Sequence, residues 1–479
     1  MKNPALSALG RRTTEPPISW LMHAALSHPK LISLAAGFTD NASLPVAGVR
    51  AALNRVLRSP GTGRPALQYG ITAGDSTLRK LTAEHLKNLD AQASPSTGIR
   101  GRGTRTSTRT IYQERLLITS GSQQLLYLTT EALCDEGDIV LVEDPTYFVF
   151  LGILQSRGLR ARGVRLERDG LDLAHLEKVL TSLKRSGKLP RVKLLYLVSY
   201  FQNPTGVTTS FVKKVEALKL LKRFERAAGH PIYLLEDAAY RELCFQNENQ
   251  TQSMVSTPSP RPSGERAGAR GFKLENHWSP HPAPLLVWRG EGEVKSALAV
   301  PGAADRVIYA GTFTKPFATG VRVGYGILPQ PLFAAVKHIK GNHDFGTSNL
   351  LQHLVARALA SGIYGKHVAQ LQRRYAHKAR VMKLAIDKHF PPAVEWWEPE
   401  GGMYFWARLP HNIPTGMKSK VFSTALKNDV LYVPGELCYA DDTARRKPNH
   451  EMRISFGNAS ETDICEGIRR LGRVLRKFL

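Results

Sequence analysis

The stretch GTFTKPFATGVRVGYG, residues 311–326, decides the fold. An apolar run, Val307–Gly311, reads as a β-strand that delivers the hydroxyls of Thr312 and Thr314 immediately before Lys315, with Arg322 shortly after. A lysine at the carboxyl end of a strand stands where an α/β sheet holds its ligands, because the crevice opens beyond the strand ends. Alone, the segment favours reading Lys315 as a surface lysine in a loop. Three further apolar runs end in the same manner. Leu194–Ser199 stops at Tyr200-Phe201-Gln202-Asn203-Pro204-Thr205-Gly206, a polar turn in which the proline restricts Asn203. Ile232–Glu236 stops at Asp237-Ala238-Ala239-Tyr240, which puts a carboxylate at the tip of a nearly all-apolar strand. Leu116–Thr119 stops at Ser120-Gly121-Ser122-Gln123-Gln124 and runs straight into a helix, offering free N–H groups and hydroxyls to an anion, or simply an N-cap.

Working outward, short apolar runs alternate with longer amphipathic stretches from about residue 115 onward. This predicts an α/β fold with a mostly parallel central sheet flanked by helices. Further strands are expected at Ile139–Glu143 and Arg322–Leu328, and helices near 122–134, 172–185 and 210–228. After residue 330 the pattern changes to long helical stretches at 331–340, 347–361 and 364–389. Short strands follow at Met403–Arg408, Leu431–Val433 and Met452–Phe456, with a closing helix from Glu461. The expected organisation is a large domain at 46–340 and a smaller α+β domain at 341–479, to which residues 1–45 contribute. Residues 91–110 read as a solvated loop, and the Pro- and Gly-rich stretch 246–300 as a disordered surface insertion.

The chain has 479 residues, 42% hydrophobic against 22% charged, the balance of a globular protein with a sizeable core. Its formal net charge of +26 raises the question of a nucleic-acid partner. The surplus lies mostly in windows 91–115, 155–193, 210–226 and 464–479. There, outside the 91–110 loop, basic residues interleave with apolar ones as on solvated helix faces, without an aromatic stacking pattern. No nucleic-acid partner is therefore expected. Four scattered cysteines exclude a C-x-x-C metal site or a disulfide framework and fit a reducing cytoplasm. No apolar run is long enough to span a bilayer, so no membrane association is expected.

Together the four strand ends supply an anion cradle, an amide, a carboxylate, a lysine and an arginine. Pyridoxal 5'-phosphate requires this set: a helix start, hydroxyls and a guanidinium for the phosphate, a carboxylate for the ring nitrogen, and a lysine for the aldehyde. The chain resembles the fold-type-I, class I/II aminotransferases, in the subgroup acting on 2-aminoadipate, kynurenine, aromatic or branched-chain amino acids. The resemblance rests on ISLAAG at 32–37, LQYG at 67–70, ITSGSQQ at 118–124, EDPTY at 143–147, NPTG at 203–206, EDAAY at 236–240 and TFTKP at 312–316. In the smaller domain it rests on PEGGMYFW at 399–406, YVPG at 432–435 and MRISFGNAS at 452–460.

The resemblance implies a ping-pong aminotransferase moving an amino group between an L-amino acid and a 2-oxo acid. In it Lys315 binds the cofactor aldehyde as an internal aldimine, Asp237 pairs with the ring nitrogen, and Asn203 and Tyr240 bond the ring hydroxyl. Asp237 and Tyr240 join Lys315 as catalytic groups. Ser122, Gln123, Thr312, Thr314 and Arg322 hold the phosphate, and Tyr147 stacks on the ring. Arg453 grips the substrate α-carboxylate, with Asn203 and Gly37 beside it. Tyr69 is implied to reach the neighbouring site of a homodimer, with an interface or core aromatic as its bland reading. Two family segments differ: the usual G-x-P is Gly37-Phe38-Thr39, and S-x-I-R is Pro17-Ile18-Ser19-Trp20. The alternatives on the same scaffold are a carbon–sulfur lyase, a decarboxylase, or a regulator that binds the cofactor without turnover. No metal site is expected.

Overall fold

The computed structural model describes residues 5–28, 30–92, 112–245 and 294–479. The expected 91–110 loop therefore lies outside the described residues except for Ala91 and Gln92, which end a helix. Of the expected 246–300 insertion only residues 294–300 are described; they form a 3₁₀ turn at Ala297–Ala299 whose Ala297 and Leu298 are buried.

In chain order the strands are β1 (Ile32–Ser33), β2 (Leu116–Thr119), β3 (Ile139–Asp144), β4 (Arg160–Glu167), β5 (Gly170–Leu171), β6 (Val192–Val198) and β7 (Tyr233–Asp237). They continue with β8 (Val307–Thr312), β9 (Gly324–Ile327), β10 (Glu395–Trp397), β11 (Tyr404–Arg408), β12 (Val430–Leu431), β13 (Val433–Pro434) and β14 (Glu451–Ser455). The central sheet has the order β2-β9-β8-β7-β6-β3-β4-β5. Its middle, β8-β7-β6-β3-β4, is parallel throughout, and β9 and β5 run against their neighbours. Of these, β3, β6, β7 and β8 are buried on both faces, as their nearly unbroken apolar runs require. Among the elements without a counterpart in the sequence reading, two belong to the central layer. β4 is a strand whose exposed residues, Arg160, Arg165 and Glu167, are charged, and the helix Phe148–Ser156 is apolar on nearly every side.

The parallel strands all end on one rim, where β2, β3, β6, β7 and β8 hand the chain to Ser120, Pro145, Ser199, Ala238 and Phe313. Facing that rim is a second sheet of order β10-β11-β14-β13. β1 pairs in parallel with β12 and ties the N-terminal residues to this second layer. The helix Pro17–Ser27 also leans that way, Trp20 meeting Phe422, whereas Ala8–Arg12 lies against the helix Phe148–Ser156. The helix Ile363–His389 spans the smaller layer and packs on Glu461–Leu475. Among the described residues no helix is long and apolar enough to cross a membrane.

Candidate active site

Between the rim and the second sheet lies a cavity of about 280 Å3. It is lined by every residue expected at the site except Tyr69: Gly37, Ser122, Gln123, Tyr147, Asn203, Asp237, Tyr240, Thr312, Thr314, Lys315, Arg322 and Arg453. Tyr69 stands elsewhere, on the surface and 82% exposed, edge-on to Phe345 at 5.4 Å.

The anion cradle is built at the start of the helix Ser122–Leu133. Its N-cap is Gly121, in the left-handed region at φ 77°, and no side chain caps the first turn. The free N–H groups of that turn therefore face the cavity mouth. A Cβ at Gly121 would stand 2.8 Å from the Arg322 guanidinium, and one at Gly324 would stand 2.5 Å from the Ser122 nitrogen, so both positions need the bare backbone. Arg322 is itself left-handed at φ 50°, just before β9 rather than within it. It is exposed and makes no ion pair among the described residues. Thr314 Oγ1 is buried without a partner, while Thr312 Oγ1 donates to the Val323 carbonyl at 3.3 Å.

Asp237 is buried at the tip of β7. It accepts hydrogen bonds from the Tyr196 hydroxyl at 2.8 Å and the Ala239 N–H at 3.1 Å, and no cation pairs with it among the described residues. Burial pushes its carboxyl up to about 6, with the two hydrogen bonds pulling the other way. Lys315, part-buried after β8, donates from Nζ to the Gly37 carbonyl at 2.7 Å. Loss of solvent, and then the Arg453 and Arg322 charges, bring its ammonium down to about 8.

Arg453, on β14, is 1% exposed. It donates from Nη1 to Asn203 Oδ1 at 2.7 Å and from Nη2 to the Ala35 carbonyl at 2.6 Å, while its buried Nε has no partner. Its guanidinium lies 4.4 Å from the centre of the Tyr404 ring.

Several contributors were not singled out from the sequence. Tyr404, on β11, joins hydroxyls with Tyr240 at 3.1 Å, and Tyr240 in turn accepts from Asn203 Nδ2 at 3.4 Å. Gln124 accepts from the Ser120 N–H at 2.8 Å and donates to Asp344 at 2.6 Å, which props the cradle from behind. Glu143 accepts from the Val198 N–H at 2.9 Å and from Gln202 at 2.5 Å, joining the β3 and β6 turns under the cavity. Gln124 and Glu143 lie inside the SGSQQ and EDPTY motifs, but their partners come from distant strands and helices. Only the folded chain reveals these bonds.

The residues fit pyridoxal phosphate: an uncapped helix start with a free guanidinium and an unpartnered hydroxyl for the phosphate, and a buried carboxylate lacking a cation for the ring nitrogen. Fold and cavity thus define an α/β enzyme that works on a phosphorylated cofactor. Comparison with known proteins gives the identity. The family model described as aminotransferase class I and II matches residues 29–471, and the chain belongs to that family. It is 30% identical to a 2-aminoadipate transaminase of Thermus thermophilus over 94% of this chain and 91% of that protein. It is 29% identical to an aromatic-amino-acid aminotransferase of Thermococcus litoralis over 93% and 88%. Among solved structures, the kynurenine aminotransferase of Pyrococcus horikoshii, in complex with PMP, superimposes with a TM-score of 0.77 at 27% identity, covering 99% of this chain and 98% of that one. The protein is a pyridoxal-phosphate-dependent aminotransferase of fold type I.

Proposed function

We propose that Lys315, Asp237 and Arg453 carry transamination of an L-amino acid of the 2-aminoadipate, aromatic or branched-chain type. The observation that carries this reading is the convergence of a part-buried amine, a carboxylate without a cation and an arginine bonded only to neutral acceptors on one cavity. When bound, the cofactor supplies an aldehyde that condenses with amines and a ring that accepts the electron pair released at the substrate α-carbon. The Asp237 carboxylate holds the proton on the ring nitrogen, and Tyr196 and the Ala239 N–H keep that carboxylate aimed. Asn203 and Tyr240 bond the ring hydroxyl, and Tyr147 covers the ring face. The Ser122–Leu133 helix start, with Ser122, Gln123, Thr312, Thr314 and Arg322, holds the phosphate. Arg453 binds the substrate α-carboxylate beside Asn203 and Gly37. Lys315 Nζ removes the α-proton and returns it at the cofactor's aldehyde carbon, a role helped by an ammonium lowered to about 8.

Phe38, Leu126, Phe148 and Val149 give the cavity an apolar wall that suits aromatic or branched side chains. The relatives named above act, by their names, on 2-aminoadipate, aromatic amino acids and kynurenine, which supports the same donor range.

We further propose a cytoplasmic homodimer. Leu67, at the end of the helix Pro60–Leu67, Tyr69 and Ile71 just after it, and Phe345 in the adjoining loop are exposed apolar residues, which supports an interface that brings Tyr69 to the neighbouring site. The division into parts 46–340 and 341–479, the latter joined by residues 1–45, is proposed with it and is supported by the β1–β12 pairing.

A visible spectrum of the purified protein followed by half-reactions with a panel of amino acids tests the reading. Donors of the proposed class bleach the cofactor band and release their 2-oxo acids, with ping-pong kinetics in the full cycle. Release of carbon dioxide, or of pyruvate with ammonia, would overturn it.

A further inference from the structure

Residues 35–40 cross the cavity mouth as a strap that meets both of its innermost cations. The Ala35 carbonyl accepts from Arg453 Nη2 at 2.6 Å, and the Gly37 carbonyl accepts from Lys315 Nζ at 2.7 Å. Each end of the strap is fastened to the smaller layer. At one end, the Leu34 N–H donates to the Leu431 carbonyl and the Leu34 carbonyl accepts from the Ser455 N–H. At the other, Asp40 is held by the helix Ile363–His389. Its N–H donates to the Tyr375 hydroxyl at 3.1 Å, and its carboxylate takes the Lys378 ammonium at 2.9 Å. Lys378 is fully buried and also donates to the Gly457 carbonyl at 3.0 Å. Arg374, one helical turn before it, stands 3.6 Å from the same carboxylate, and Ser43 Oγ donates to it at 2.5 Å.

A buried ion pair contributes little net stability, because removing two charges from water offsets most of their attraction. What such a pair does provide is a defined position. Here the position matters because the clearances are small: a Cβ at Gly37 would come within 3.0 Å of the Tyr404 hydroxyl, and one at Gly457 within 2.6 Å of the Phe38 carbonyl. A strap free to shift by an ångström would carry its two carbonyls away from Arg453 and Lys315 together.

We propose that Asp40 and Lys378 form a clasp that seats the Ala35–Asp40 strap, and so act as positioning residues for Arg453 and Lys315. This rests on the roles given above to those two residues. The test uses the cofactor-loaded enzyme with Asp40→Asn, Lys378→Met and the double variant, which buries no unpaired charge. Affinity for 3-phenylpropionate, an acid without the amine, reads the Arg453 grip by equilibrium dialysis. Turnover of L-phenylalanine gives KM and kcat.

The clasp predicts at least tenfold weaker 3-phenylpropionate binding and a KM raised by a similar factor in the double variant and in Asp40→Asn, with the cofactor spectrum intact. Binding and KM within twofold of the parent in the double variant would overturn it. So would a lowered melting temperature with 3-phenylpropionate affinity preserved, the signature of a purely structural pair. Arg453→Lys is the control: unchanged affinity there refutes the role of Arg453 itself, whereas weakened affinity there and parental affinity in the clasp variants refutes the clasp alone.

Discussion

The lowered Lys315 ammonium makes a prediction about how the cofactor attaches. Attachment requires the neutral amine. With the ammonium at about 8 instead of its ordinary 10.5, about a tenth of the amine is neutral at pH 7, roughly 300 times more than for an ordinary lysine. The same difference is worth about 3 kcal/mol, an upper bound because the side chain keeps one face toward the cavity. Mixing cofactor-free protein with pyridoxal phosphate and following the visible absorbance in stopped flow measures the attachment rate against pH, after correction by the same profile for free butylamine. The rate should climb with pH and level off above about 8. Arg453→Met removes one of the two charges that, after desolvation, hold the ammonium down, so the midpoint of its profile should move upward. A parental midpoint near 10, or an Arg453→Met midpoint that stays or moves down, would refute the electrostatic account.

The same shift has a stability consequence with a definite sign. The folded-state value lies below the unfolded one, so the unfolded chain binds the extra proton between about pH 8 and 10.5. In that window the cofactor-free protein should gain stability as pH rises, whereas Lys315→Met should show no such gain from this group; equal slopes in urea melts would count against it. Asp237→Asn should still attach the cofactor but lose roughly 10²–10³-fold in the half-reaction, since a neutral amide cannot hold the ring-nitrogen proton; near-parental single-turnover rates would contradict the assignment. Arg453→Lys gives up a two-pronged contact worth about 1.5–3 kcal/mol, so KM for the amino donor should rise roughly 10- to 150-fold with a smaller change in kcat. Phe345→Asp places a charge beside Tyr69 in the proposed interface, and sedimentation velocity should show a monomer; an intact dimer would move the interface elsewhere.

The rim of the sheet was legible in the sequence because each strand there is an apolar run that stops at a polar turn. Lys315, Asp237, Asn203 and Ser122 all sit within a few residues of such a stop, and it is the four stops taken together, with the resemblance they carry, that sort these residues from the many surface lysines and aspartates. β4 was missed because it lies toward the sheet's edge, where exposed Arg160 and Arg165 break the apolar signal. The helix Phe148–Ser156 was missed for the opposite reason, since a segment buried on most sides has no 3.6-residue period to detect. Tyr196 and Tyr404 escaped notice because their partners are supplied by strands or helices far along the chain. The strap is an extreme case: its bonds join residues 278 to 418 positions apart, and no local pattern encodes them.

The treatment of buried charge separates scaffold from site. Where a charge is structural, this chain pairs it: Lys214 with Glu236 at 2.9 Å, Arg241 with Asp90 at 2.5 Å, Lys378 with Asp40 at 2.9 Å, His85 with Glu242 at 2.9 Å. In the cavity it does not. Asp237 has only neutral donors, Lys315 and Arg453 only neutral acceptors, and Arg322 no ion pair among the described residues. Glu143, also buried without a cation among the described residues, is pushed up to about 8 by burial, and its neighbours are the neutral donors Val198 N–H, Gln202 and Thr209. Leaving opposite charges apart inside one cavity is unfavourable for the empty protein. A ligand that supplies the missing partners, a cation at Asp237 and anions at Arg322 and Arg453, relieves that cost. On the proposed assignment those partners are a protonated ring nitrogen, a phosphate and a substrate carboxylate, so the unmatched charges select the ligand alongside the shape of the cavity.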